Sequence, residues 1–579
     1  MTQTVNPSDS FPPPRTYKWG QISRDRLIQI AVSVLTVTLV LAPILPILYQ
    51  SVLDRPLYEA DGQFTLQNYV NLATAQGFGP VLWNTFIYGI GTTIVAQVIG
   101  VGAAILIART NVPFARAISS VLLWPMFISS IVLAFGWITI YGPSGLLSLW
   151  LQKTTGSVPW NLYSLTGLCL VTGVAHVPVT FLYCISSARL QDPDLESAAR
   201  IAGARPWQII LKINLPLMMP AFILSATMNF ISAIESLGIP LIIGQPVGLE
   251  FLSTFLYSRG LEQSTKDYGI VGAAGLFLLI LVLLLLMLQN RLLRFSERFV
   301  TMSGKAKRPR LLDLGGWRWV VFAMLVTYLV IGVGPVVFGV TLRAFTSVLS
   351  PYVPIHTVLT LDNFYYIFSF EAYRRSIVNT LLIATIGSIL ATALVALIAL
   401  IAQRSQMPGR KWLEAIALFP RGVPGMLTGI GAFYAVVLLP FLGPLRNTIW
   451  ILVIVFIIRF IPAGYGAITP TLMQVSKDLD RAARTVGADW WGSSTRIVLP
   501  LMKPALVTCF AIVFVHMVKE YASAVFLFAP GGEVLGTTML TFWVQGDVGP
   551  TAALALIQIL IVTVFVLAVR KLMKVNFHG

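Results

Sequence analysis

One stretch of this chain occurs twice at identical internal spacing. Residues Gln191 to Ala221 read QDPDLESAARIAGARPWQIILKINLPLMMPA, and residues Val475 to Ala505 read VSKDLDRAARTVGADWWGSSTRIVLPLMKPA. An offset of about 284 residues, with no gap, superposes Ala198-Ala199 on Ala482-Ala483, Gly203 on Gly487, Trp207 on Trp491, Ile213 on Ile497 and Leu215-Pro216 on Leu499-Pro500. Such a repeat means two copies of one structural unit, so the fold must be divisible into two.

The repeated stretch reads as two short helices meeting at a sharp angle. Asp192 and Pro193 supply an N-cap and a first-turn proline, and Asp194 and Glu196 put acids where the helix dipole favours them; Ser476, Asp478 and Asp480 do the same in the second copy. The alanine pairs keep one helical face thin, and Gly203 or Gly487 permits a left-handed turn that ends the helix. Pro206 and Asp489 then restart a second helix. A purely structural hairpin between spans would read the same way in one copy. Two copies at one spacing, each between long apolar runs, point instead to a shared task.

Of the 579 residues 56% are hydrophobic and 11% charged, whereas soluble domains carry about 25% charged residues. The chain is therefore expected to be an all-α polytopic membrane protein. Its net charge of +17 gathers in particular inter-span loops, as cytoplasmic loops do, so nucleic acid is not an expected partner. Cys169, Cys184 and Cys509 lie in or near apolar runs with no disulfide framework or zinc spacing. Residues 1–26, with Pro12-Pro13-Pro14, read as a disordered leader before a first span that is retained and not cleaved.

Twelve stretches reach the length of about 20 mostly apolar residues that a span needs. They cover roughly 27 to 49, 81 to 108, 117 to 141, 161 to 187, 217 to 243 and 268 to 290, then 317 to 343, 377 to 402, 412 to 440, 447 to 469, 503 to 529 and 551 to 572. Basic residues alternate with them: Arg24 and Arg26 before span one, Arg109 and Arg116 after span two, Arg200, Arg205 and Lys212 after span four, and Lys305, Lys307 and Arg308 after span six. Arg404, Arg410, Lys411, Arg481, Arg484, Arg496 and Arg570 continue the series, which puts both termini and both repeated loops in the cytoplasm. Arg374 and Arg375 break the pattern.

The repeat extends further. Leu66-Gln67-Asn68-Tyr69 matches Leu361-Asp362-Asn363-Phe364, and Asn84-Thr85 with Arg109 matches Asn379-Thr380 with Arg404, at an offset of about 295 residues. The first half thus holds about eleven extra residues, expected in the external loop Gly142 to Trp160. Two parallel six-span units follow, 27–300 and 317–579, joined by a basic linker at 301–316.

The pattern Ala-Ala, a Gly four residues after the second Ala, and Ile-x-Leu-Pro beginning ten after the Gly resembles the EAA loop of permease subunits of binding-protein-dependent ABC importers. Two copies look like two fused permease domains, and the fused form, with LGIPLIIG at Leu237 to Gly244, looks most like bacterial ferric-iron importer permeases. Fused thiamine and aminoalkylphosphonate permeases share the architecture, and sulfate and polyamine permeases share the loop. The resemblance implies a multi-pass protein of the bacterial inner membrane, two copies of a cytoplasmic ATP-binding subunit docked on the two loops, and an external solute-binding protein that supplies most recognition. Carried over, the coupling residues are Glu196, Ala198, Ala199, Gly203, Ile213, Leu215 and Pro216, and Asp480, Ala482, Ala483, Gly487, Ile497, Leu499 and Pro500. The family's first Glu is Ser197 here in one copy and Arg481 in the other, with acids one position earlier. No phosphate-binding G-x-x-x-x-G-K-[ST] occurs, Gly304-Lys305 being the nearest fragment, so ATP hydrolysis is expected in a separate subunit and no catalytic residue or cofactor here.

Ionisable residues within spans are costly in lipid and mark candidate pathway positions. Here they are Glu235 in span five, Arg459 in span ten, and His516, Lys519 and Glu520 in span eleven. His516 and Glu520, four apart, are expected on one helix face, where they could hold a cation or form a hydrogen-bonded cluster neutralised by Arg459 and Lys519. No metal site is assigned. Glu235 aligns with Lys519 and Ser236 with Glu520, so the pathway is expected to be asymmetric. Pro125 with Pro420, and Pro178 with Pro462, are expected to mark kinks. A secondary transporter with parallel repeats is the alternative from another class, opposed by the duplicated loop; a membrane-embedded enzyme is opposed by the lack of HExxH or a His-carboxylate constellation.

Overall fold

A computed structural model describes residues 24–59, 61–263, 267–296, 311–527 and 529–573, so most of the leader and of the basic linker lie outside the described residues. It is 79% helical, with no strand among the described residues. Nine of the described helices are long and apolar enough to cross a membrane, or twelve when each of three bent pairs counts as one span.

Six of the expected spans correspond to single unbroken helices that run a few residues beyond the apolar run: Phe78–Arg109, Leu165–Leu190, Tyr268–Ser296, Glu371–Arg404, Ile449–Gln474 and Val548–Met573. Pro178 and Pro462 sit inside two of these without ending them. Four spans differ from the sequence reading. Spans three and nine break where Pro125 and Pro420 open short 3₁₀ segments, Trp124–Phe127 and Phe419–Gly422, and new helices start at Ser130 and Gly425. Pro125 and Pro420 therefore mark complete breaks and not kinks, the two segments of span nine lying 109° apart. Spans five and eleven end midway, at Glu235 and Val518. Ser236 turns extended, with ψ of 128°, before the chain resumes as a π-helical turn, Pro240–Gly244, whereas beyond Lys519 the described residues of the span form only a short 3₁₀ turn, Ala524–Phe526.

The two halves carry the same internal fastenings. Asn68 Nδ2 donates to the Ser51 and Leu53 carbonyls, and Asn363 Nδ2 to those of Ala344 and Thr346. The offset between halves changes between Tyr141 and Leu165, where the first half has an additional helix, Leu146–Thr155, and the second only a 3₁₀ segment, Pro440–Leu445.

Each half's first span packs on the opposite half. Arg24–Leu41 lies on Glu371–Arg404 and Arg410–Leu418, and Gly334–Ala344 lies on Ser130–Tyr141. Equivalent glycines admit the crossings: a Cβ on Gly136 would lie 2.4 Å from Val336 Cα, and one on Gly431 would overlap the Pro43 carbonyl oxygen. Only glycine allows backbone this close.

Candidate functional site

In the first repeated loop the Asp192 carboxylate accepts the Asp194 N–H at 3.0 Å and starts the helix Pro193–Ile201. In the second, Ser476 Oγ accepts the Asp478 N–H at 3.1 Å ahead of Asp478–Thr485. Gly203 and Gly487 then turn left-handed, φ 83° and 86°, and the Ala204 and Ala488 N–H groups close back on the Ala199 and Ala483 carbonyls. The second helices, Pro206–Ile209 and Trp490–Ser493, each widen into one π-helical turn, Ile210–Asn214 and Ser494–Val498. After Leu-Pro-Leu the chain bends by 70° and 75° into Met219–Glu235 and Lys503–Val518.

The outward face of each loop is thin and apolar. Ala198, Gly203, Ala482 and Gly487 are exposed, Ala199 is half-buried and Ala483 buried. Ile201 and Val486, near the tips, are 89% and 84% exposed. Ile213, Leu215, Pro216, Ile497 and Leu499 are half-buried and Pro500 is exposed; they form the bend and lie apart from the tip.

Glu196 and Asp480 correct the sequence reading, which put them on the docking face. Both turn inward, Glu196 to the guanidinium of Arg109 (2.8 and 2.5 Å) and Asp480 to that of Arg404 (2.8 Å). The reason is positional: each acid is in the first turn of its helix on the side facing the bundle, where the arginine ending span two arrives from within. Arg109 and Arg404 are the functional candidates that sequence reasoning missed, although their match across the repeat was the available signal. Asp25 is a third, its carboxylate accepting the N–H groups of Trp490 (2.9 Å) and Trp491 (3.3 Å).

The intramembrane residues do converge. A cavity of about 290 Å³ is lined by Glu235, Arg459, His516, Lys519 and Glu520, with Ser130, Ser236 and Tyr521 among their neighbours. His516 and Glu520 do not share a helix face, because the helix has ended at Val518. Arg459 Nε lies 2.9 Å from Glu520 Oε2, an ion pair in which the N–H is not aligned as a hydrogen bond. Glu520 Oε1 accepts the Ser523 N–H at 3.0 Å, His516 stacks on Phe460, and Lys519 Nζ donates to the Met126 carbonyl at the break in span three, 2.5 Å away. Glu235 ends its helix with no hydrogen-bond or ion-pair partner among the described residues. Nor is there among them a group of three or more His, Cys, Asp or Glu able to hold a metal ion.

Two stretches, 98–302 and 395–574, match the family model described as binding-protein-dependent transport system inner membrane component. Each contains one loop and one wall of the cavity, and together they cover more than half of the sequence. The chain belongs to this family, as an ABC importer permease with two permease units in one polypeptide. It is similar to a relative named as a ferric transport system permease protein, FbpB 1, of Haemophilus influenzae, 26% identical over 81% of this chain and 73% of the relative. It is also similar to the ferric transport system permease protein FbpB of Actinobacillus pleuropneumoniae, 26% identical over 82% of this chain and 68% of that one. Among solved structures, a bacterial alginate ABC transporter complex matches 40% of this chain and 84% of its own at 21% identity and a TM-score of 0.36.

Proposed function

We propose that this chain forms the membrane pathway of a bacterial ferric-iron importer, receiving the ion from an external binding protein and drawing energy from two cytoplasmic ATP-binding subunits docked on its two loops. The observation that carries the docking is the duplicated, outward-facing surface of Ala198 and Gly203, or Ala482 and Gly487, with Ile201 or Val486 beside it. The ferric assignment rests on the two relatives named for ferric transport. Under this reading residues 27–300 and 317–579 are the two permease units, 301–316 links them, and both termini are cytoplasmic. A cysteine at the exposed Ser197 that is labelled by a probe confined to the outer side would reverse the orientation.

The docking is tested with Gly203→Val and Gly487→Val together. The strained turn and the added bulk should abolish transport and capture of the ATP-binding subunit while membrane insertion persists; undiminished transport rejects the docking. Identifying the ion carried by the partner binding protein tests the substrate.

Glu235, Arg459, His516 and Glu520 are the proposed pathway residues. Carboxylates and hydroxyls are the hard donors that iron(III) prefers, and a pathway needs only transient contacts. Glu520→Gln separates this role from a structural one. A pathway role leaves assembly normal and alters uptake, whereas a structural pair lowers assembly yield, with partial rescue by Arg459→Gln.

A further inference from the structure

Both loops are fastened to the membrane bundle by one device. Arg109 is the last residue of Phe78–Arg109 and its side chain is 1% exposed. Its Nε and Nη2 both donate to Glu196 Oε1, and the same oxygen accepts Asn214 Nδ2 at 2.7 Å. Asn214 in turn exchanges hydrogen bonds with Gln191, Nδ2 to Oε1 at 3.0 Å and Gln191 Nε2 to the Asn214 carbonyl at 2.8 Å. The end of span two, the end of span four and both loop helices thus meet at one buried ion pair. In the other half Arg404, last residue of Glu371–Arg404, donates to Asp480, to the Leu472 carbonyl (2.6 Å) and to the Val475 carbonyl, while Asp480 Oδ1 accepts Ser493 Oγ at 2.7 Å. The same four segments meet again, although the partner on the second loop helix is a different residue at a different place.

The arginines sit on the right helices to transmit motion. Phe78–Arg109 packs along Leu165–Leu190 and Met219–Glu235, which bring Thr172, His176, Ser232 and Glu235 to the cavity. Glu371–Arg404 packs likewise along Ile449–Gln474 and Lys503–Val518, which bring Arg459, Phe460 and His516. Spans three, five, nine and eleven all break or end midway, but span two of each half runs unbroken from its loop past the cavity walls. A buried ion pair resists opening because either charge left alone is poorly solvated, so loop and rod move as one body.

We propose that Arg109 and Arg404 are the positioning residues that convert displacement of each loop into displacement of the cavity walls. This rests on the reading that the loops dock ATP-binding subunits. The test uses the full transporter with its ATP-binding subunits and binding protein in liposomes, comparing Arg109→Gln with wild type and with the conservative Arg109→Lys. The variant should still capture the ATP-binding subunits and retain basal hydrolysis, since the docking face is untouched. Stimulation of hydrolysis by loaded binding protein, and uptake with it, should fall at least about tenfold, within the usual range of coupling factors. Arg109→Lys, which keeps the charge but not the two-pronged contact, should recover part of that loss. Stimulation and uptake within about twofold of wild type would overturn the proposal, being below the range of such couplings. So would loss of subunit capture at normal yield, which makes the pair a shaper of the docking face, or failure of both variants to assemble, which makes it structural only. If the wild-type chain itself captures no ATP-binding subunit, the docking reading fails instead, and the inference with it.

Discussion

The two repeated loops have nearly the same backbone and are anchored unequally. In loop one a single acid does the anchoring: Glu196 is 3% exposed at its side chain, all the donated bonds of Arg109 go to it, and Arg109 Nη1 is buried without a partner. In loop two Asp480 is 15% exposed, and Arg404 shares its bonds between that acid and backbone carbonyls. The opposite half adds a further tie there, since Asp25 caps Trp490 and Trp491, whereas Trp207 at the equivalent turn of loop one is 54% exposed. Equal output geometry can therefore be held either by one concentrated charge pair or by several weaker contacts, and the two should fail differently.

The largest expected difference lies in removing the acids. Glu196→Gln leaves Arg109 charged and buried, at a cost of about 3 to 5 kcal/mol. Asp480→Asn leaves Arg404 its carbonyl partners and should cost about 2 kcal/mol, the worth of a hydrogen bond to a charged group. Denaturation midpoints of the two purified variants give the answer, and equal losses would break the comparison. Next come Gly203→Ala and Gly487→Ala. Both glycines have φ above 80° and open space around a built Cβ, so each substitution should cost about the same 1 to 2 kcal/mol of left-handed strain. Unequal losses would show that the backbones are not equivalent after all. Asp25→Ala removes a cap from loop two alone, worth about 1 kcal/mol. Hydrogen exchange should quicken at the Trp490 and Trp491 amides and stay unchanged at Trp207.

The smallest effect concerns the side opposite the two loops, where the halves differ again. Thr85 and Thr380 Oγ1 accept the Leu252 and Leu535 N–H groups at equivalent places, which aligns Glu250 with Glu533. Glu250 is exposed with no ion pair among the described residues, whereas Glu533 pairs with Arg375 at 3.0 Å. This gives Arg375, one of the two arginines that break the pattern of basic loops, an acidic partner. Burial opposes ionisation of Glu533, but hydrogen bonds from Arg375 and from the Gly531 N–H outweigh it and hold its carboxyl below the ordinary glutamate range. A lowered folded value means stabilisation that is present above the unfolded value and lost as pH falls through the folded one. The segment around Gly531 should loosen on acidification below the ordinary glutamate range, and Arg375→Gln should remove that dependence, as amide exchange at Gly531 would report.

Much of this was legible in the sequence because caps and repeats are local signals. Asp192, Asp489, Gly203 and Gly487 act where their spacing puts them, and the Asn68 and Asn363 match marks a real fastening. The midway ends of spans five and eleven were not legible, because apolar chain continues through Leu237 and Tyr521 and hydropathy does not register a change of backbone direction. The inward turn of Glu196 was hidden for another reason. Its helix shows acids in the first turn, a pattern that suits solvent as well as a buried arginine, and that arginine lies 87 residues earlier in the chain.

The crossing of the first spans has a consequence for how the protein is made. Arg24–Leu41 enters the bilayer early, yet its seat on Arg410–Leu418, and the Gly431 notch that admits the Pro43 carbonyl, are about 390 residues further along a chain synthesised at about 5 to 20 residues per second. For roughly 20 to 80 seconds Arg24–Leu41 must wait in lipid without its seat on the second half, while Ile44–Ser51 of the same span can already pack on Tyr268–Ser296. Biogenesis therefore includes a clasping step, in which an early helix is captured by the later half.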